Sequence, residues 1–197
     1  LIGVNGAGKT TLIKLLCRFY KPTKGKILIN GIDISQIESK SLYRNLSIMF
    51  QDFKIVSFTI KDNVAGIDEN KSKLDDSFKK IDFYNRVEEL PYKENTYINK
   101  FFDDEGVVFS GGELQKMAFA RSIYKDSSFV VLDEPTSSLD VNSETNIYYN
   151  FNNIIGKKLC IYVSHRMSSC KFSDNIIVLN NKKITQIGNH NELIKDK

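Results

Sequence analysis

The chain has 197 residues, of which 41% are hydrophobic and 26% charged, with a net charge of +4. This is the composition of one globular domain, or of one domain with a lobe grafted on, and it is long enough to bury a core without disulfide staples. Basic residues are scattered, with no block of five or six, so no nucleic-acid partner is expected, and no apolar run approaches the roughly 18 residues of a membrane span. Cys17, Cys160 and Cys170 have spacings that fit neither a disulfide framework nor a zinc site, so they read as reduced thiols.

In chain order, Leu1-Ile2 reads as the end of a strand. Sequence upstream of Leu1 is therefore expected, and any membrane-crossing part would lie there or on another subunit. A glycine loop follows, then a helix near Thr10–Phe19 with Leu12, Leu15, Leu16 and Phe19 at helical spacing, closed by Pro22 and Gly25. Residues 27–34 form an expected hairpin, because Asn30-Gly31 supplies the two positive φ angles of a type I′ turn. A short helix at Lys40–Asn45 leads to a strand at Ser47–Phe50. From about 69 to 105 the chain is polar with apolar residues every three or four positions, Leu74, Phe78 and Ile81 among them, which predicts helices and loops of an inserted lobe. Ser110–Lys125 reads as a helix, Phe129–Leu132 as a covered parallel strand, Asn142–Ile155 as a helix and Leu159–Val163 as a strand. Ile176–Leu179 and Ile184–Ile187 read as strands joined by a turn at Asn180-Asn181. The strand–helix alternation indicates α/β layers, with a mostly parallel sheet, antiparallel strands and an inserted α-helical subdomain; the glycine loop makes the expected core that of a phosphate-loop NTPase. The helical subdomain is expected at about 53–127, within a catalytic core of 1–52 and 128–197.

Three segments carry chemistry. Gly3-Val4-Asn5-Gly6-Ala7-Gly8-Lys9-Thr10 has the phosphate-loop spacing between a strand and a helix. Its glycines let backbone N–H groups turn around phosphate oxygens, and the helix N-terminus adds positive field. Lys9 would reach the β- and γ-phosphates of ATP, and Thr10 would ligate Mg2+. Asp133-Glu134 ends an apolar strand, where ligands bind in open α/β sheets; Asp133 would hold the metal, and Glu134 would orient and deprotonate the attacking water. By itself this pair could instead cap the next helix. Ser110-Gly111-Gly112-Glu113 opens a helix as a capping box. Its two glycines each cost the helix about 1 kcal/mol relative to alanine, and capping does not need them. Close approach of N–H groups to a phosphate does.

On these residues the chain resembles an ATP-binding cassette domain along essentially its whole length. Phe109-Ser110-Gly111-Gly112-Glu113 resembles the family signature, leucine-serine-glycine-glycine-glutamine, and departs from it at the first and last positions. Gln51 matches the family's glutamine loop, Ser138-Leu139-Asp140 its aspartate loop and His165 its switch histidine. The resemblance implies Glu134, His165, Lys9 and Gln51 as catalytic residues, and Thr10, Gln51 and Asp133 around the metal. It implies Gly3, Asn5, Gly6, Ala7, Gly8, Lys9, Thr10, Thr11, Ser110, Gly111, Gly112, Glu113 and Asp140 around nucleotide. Tyr43-Arg44 through Gln51-Asp52-Phe53, Thr59-Ile60, Ser164-His165-Arg166 and Asp104-Glu105-Gly106 resemble the exporter branch.

The resemblance further implies a head-to-tail dimer with a second nucleotide-binding domain, identical or not, that sandwiches two ATP molecules. Lys9 and Glu134 of one copy would face Ser110 and Gly112 of the other. Coupled to a transmembrane domain at the cytoplasmic face of the plasma membrane, that cycle would move a substrate. Phe53, Ile55 and Phe58 are candidates for gripping the membrane part, or for lobe core. The alternative is a soluble cassette ATPase of DNA repair, chromosome structure or translation; the interval before Ser110 is too short for the coiled-coil arms of chromosome-type members. Other competitors are a binding-only regulator, against which Glu134 and His165 argue, and a phosphate-loop kinase, which would leave the Ser110–Glu113 cap unexplained.

Overall fold

The computed structural model describes residues 1–165 and 171–195. They divide into two compact units, one of residues 1–46, 128–134, 159–165 and 171–195, the other of residues 47–127 and 135–158. Arg166 and Cys170 lie outside the described residues.

The first unit is built on parallel strands. β1 (Ile2–Gly3) pairs with β7 (Ile176–Asn180), Ile2 opposite Val178 and Gly3 opposite Leu179. β5 (Phe129–Asp133) pairs with β6 (Leu159–Val163) in parallel, from Phe129 opposite Leu159 to Asp133 opposite Val163. A parallel bridge from Ile2 to Ser164 joins β1 to the end of β6. Val130, Val131, Leu132 and Val163 are buried, as a strand covered on both faces requires. β8 (Lys183–Gly188) returns antiparallel on β7. Asn180 pairs with Lys183, and Asn181 and Lys182 both take positive φ. The turn is therefore Asn181-Lys182, one residue beyond the expected Asn180-Asn181, since lysine is an uncommon left-handed residue.

α1 (Lys9–Leu16) is shorter than the spacing predicts. Arg18 turns left-handed just past it, which leaves Phe19 outside the helix, half-exposed and stacked on Tyr43. Ile13 and Cys17 face the core instead. The hairpin forms from β2 (Leu28–Ile29) and β3 (Ile32–Asp33), with Asn30 and Gly31 both at positive φ as its type I′ turn demands. α2 (Ser39–Arg44) precedes β4 (Leu46–Met49), the strand at which the chain passes into the second unit.

The second unit is helical. α3 (Ile60–Ala65) starts on a capping box in which Thr59 and Asp62 each accept from the other's backbone N–H. α4 (Lys71–Lys80) and α5 (Tyr84–Glu88) follow, then α6 (Gly111–Lys125) and α7 (Val141–Ile155). Leu74, Phe78 and Ile81 are buried at the spacing the sequence shows, with Phe83 edge-on to Phe78 and with Met117 and Phe119 from α6. Residues 135–158, which the sequence places with the catalytic core, cluster here with the helices because α7 packs on α4. The half-buried Arg121 donates to the carbonyls of Asn63 and Lys54, tying α6 to α3 and to the segment before it. Phe53 and Ile55 are half-buried and Phe58 is half-exposed, stacked on the exposed Phe102. In the first unit, α8 (His190–Lys195) follows β8. Cys17 and Cys160 are free thiols, both pushed up to about 12 by burial. Among the described residues no helix is long and apolar enough to cross a membrane.

Candidate functional site

In the first unit, the loop from Gly3 to Gly8 turns β1 into α1. Gly3 has no room for a side chain: a Cβ would lie 2.3 Å from the Leu179 carbonyl oxygen. Gly8 is the N-cap of α1 at φ 100, a conformation an L side chain strains to adopt. The Ala7 N–H closes the loop on the Val4 carbonyl at 3.1 Å. Lys9 is buried, and its ammonium donates to the carbonyls of Gly3 at 2.8 Å and Val4 at 3.2 Å. A buried ammonium needs partners of this kind, and the two carbonyls hold the side chain folded over the loop. Thr11 is exposed on the first turn of α1.

The ends of β5 and β6 bring two further pairs into the same unit. The Thr10 hydroxyl donates to the buried Asp133 carboxylate at 3.3 Å. Glu134 leaves the strand at φ 51, held there by its N–H bond to the Val163 carbonyl. Its carboxylate lies 2.9 Å from Nδ1 of His165, which is half-exposed. Sequence positions far apart thus converge where a parallel sheet presents its strand ends.

The second unit carries the remaining candidates. Ser110 caps α6: its hydroxyl accepts from the Glu113 N–H, while Glu113 Oε2 accepts from the Ser110 N–H and hydroxyl, each at 2.8 Å. Glu113 Oε1 accepts from Arg86 Nε on α5 at 2.7 Å. Partial burial raises the Glu113 pKa, but the bonds from Ser110 and Arg86 outweigh it and hold the carboxyl below its ordinary value. Ser110, Gly111, Gly112 and Glu113 share a cleft of about 600 Å³ with Asp140, Ser138, Arg86 and Lys116. Asp140 caps α7 by accepting from the N–H groups of Asn142 and Ser143; the Ser143 side chain, and then these N–H groups, lower its pKa. Gln115, buried on α6, binds the Ser137 hydroxyl through its amide N–H and the Ser138 N–H through its oxygen. Gln51 is exposed just past β4.

Arg86 and Gln115 carry no motif, and sequence reasoning passes over both. Gln115 has a faint signal, a polar residue on the apolar face of α6. Arg86 has none, because the partner that gives it meaning is distant in sequence.

A strand, a glycine loop folded over a buried lysine, and a helix, with two acids ending a parallel strand, define a phosphate-loop NTPase core; here it carries an α-helical insert. Residues 1–137 match the family described as ABC transporter. Subtilin transport ATP-binding protein SpaT of Bacillus subtilis is 36% identical over 99% of this chain and 32% of its own length. An ATP-dependent lipid A-core flippase of Paraburkholderia xenovorans is 33% identical over 98% of this chain and 32% of its own. The solved structure of a bacterial Atm1-family ABC exporter with ATP bound overlays on all of this chain and 34% of its own, with 33% identity and a TM-score of 0.91. The chain belongs to the ABC transporter family and carries that family's ATPase domain. It spans about a third of the length of the curated relatives it matches.

Proposed function

We propose that this chain is the ATP-driven motor of a membrane exporter, working as a head-to-tail pair of nucleotide-binding domains coupled to transmembrane helices from the cytoplasmic face. The observation that carries the reading is the convergence of Thr10 with Asp133, and of Glu134 with His165, beside the Gly3–Gly8 loop. Support for the membrane assignment comes from relatives whose names specify transport and flippase activity.

In this reading the N–H groups of residues 5–11 cradle the ATP phosphates, and Lys9 exchanges its two carbonyl partners for phosphate oxygens. The Thr10 hydroxyl and the Asp133 carboxylate are hard oxygen donors 3.3 Å apart, which suits Mg2+. When bound, Mg2+ offsets charge on the β- and γ-phosphates. Glu134 orients the attacking water and takes its proton, and His165 holds the carboxylate in place. Ser110, Gly111, Gly112 and Asp140 face the nucleotide of the partner domain.

Glu134→Gln tests the assignment. The variant should bind ATP nearly as tightly as its parent, hydrolyse it about 10²–10⁴ more slowly, and accumulate as a dimer in ATP. Unchanged turnover would remove Glu134 from the chemistry.

A further inference from the structure

The family signature and this chain differ at two places, Phe109 and Glu113, and both contact the same side chain. Arg86 donates to Glu113 Oε1 at 2.7 Å, and its guanidinium lies 5.9 Å from the centre of the buried Phe109 ring. We propose that Arg86 is a positioning residue that neutralises Glu113, so that the first turn of α6 can face a triphosphate. The inference rests on the ATP reading above.

The physical difficulty is the carboxylate. A negative charge in the first turn of a helix is favoured by the helix dipole, but for the same reason it cancels the positive field that would draw in phosphate. Glutamine in that position closes the capping box without adding charge. Glutamate closes it as well, with Oε2 on the Ser110 N–H and hydroxyl, and leaves Oε1 carrying charge toward the cleft. Arg86 occupies that oxygen. The planar guanidinium suits both demands of the site, since it can donate to a carboxylate while lying on an aromatic face. Phe109 supplies a ring that leucine would not.

The other charged groups of the cleft do not offer a substitute. Lys116 donates to the Asp82 carbonyl at 2.8 Å, with the Asp82 carboxylate 3.9 Å away. Asp140 is occupied with the N–H groups of its own helix. Without Arg86, Lys116 would face Asp82, Glu113 and Asp140, all of which line the cleft. The approach of a triphosphate would then be opposed by uncompensated charge.

The test is a double-mutant cycle in the full-length protein, reading KM for ATP, kcat and melting temperature. Arg86→Ala should raise KM about tenfold, equivalent to about 1.4 kcal/mol, and added salt should shrink the defect because partly exposed charges are screened. In a Glu113→Gln background the same Arg86→Ala change should move KM by less than about twofold, since no carboxylate is left to neutralise. Arg86→Lys should recover part of the loss. An equal KM change in both backgrounds would overturn the proposal and reduce Arg86 to a packing residue. Lys9→Ala separates the two levels. If Lys9→Ala abolishes ATP binding while Arg86→Ala leaves KM unchanged, only the role of Arg86 is lost. If neither alters ATP handling, the ATP reading itself fails.

Discussion

The two glycines that open α6 differ in a way that allows fold and chemistry to be separated. A Cβ on Gly112 would lie 3.2 Å from the Ser138 carbonyl oxygen, so any substitution there disturbs packing as well as function. A Cβ on Gly111 meets nothing within 4 Å, and the residue is not in the left-handed region. Gly111→Ala is therefore free of steric cost in the chain itself. Alanine favours a helix by at most about 1 kcal/mol over glycine, so for a chain of this length the melting temperature should stay level or rise by up to about 4 °C. The functional expectation is opposite. If N–H groups of this turn approach the partner domain's phosphates, the new methyl stands in the gap, and a displacement near 1 Å can cost about 100-fold. Steady-state ATPase assays and thermal melts on the same preparations decide the matter. A variant that melts at or above its parent and hydrolyses ATP at least tenfold more slowly bears out the reasoning. Turnover within about threefold of the parent would refute it, because the glycine would then serve no close approach.

Gly3→Ala should behave differently. Its Cβ would press to 2.3 Å of the Leu179 carbonyl, an overpacking that costs about 1–3 kcal/mol and lowers the melting temperature by about 2–12 °C; an unchanged melt would contradict the β1–β7 register. Glu113 gives a pH signature. Its carboxyl is held below the ordinary value, so its contribution is fully present above that value and is lost as pH falls through the depressed one. The melting advantage of the parent over Glu113→Gln should thus shrink as pH drops through the carboxylate range, and an advantage that persists in acid would show that the charge is not its source.

Local chemistry was the legible part of this chain. The Asn30-Gly31 turn, the apolar run at β5 and the Ser110 cap follow from residue types that admit few alternatives, and each forms where the residues demand. Strand β6 matches its expected Leu159–Val163 bounds. The end of α1 was illegible because it depends on Arg18 entering the left-handed region, which arginine does not announce. Asn181-Lys182 escaped for the same reason. In the site, the residues of the phosphate loop are contiguous and could be read directly. The Thr10–Asp133 and Glu134–His165 pairs needed the sheet to bring them together. Arg86 was invisible and Gln115 only faintly marked, because their meaning lies in partners that sequence does not name.

Glu134 sits in a left-handed conformation at φ 51. An L side chain pays about 1–2 kcal/mol for that geometry, whereas glycine avoids the penalty and asparagine or aspartate tolerate it better. Two of these three residues, glycine and asparagine, cannot activate water. A descendant that exchanged Glu134 for glycine or asparagine would fold with less strain and could still close on ATP without cutting it. The His165 contact at 2.9 Å and selection on turnover both favour a glutamate there; where that selection lapses, the backbone strain favours conversion of a motor into a nucleotide-gated latch.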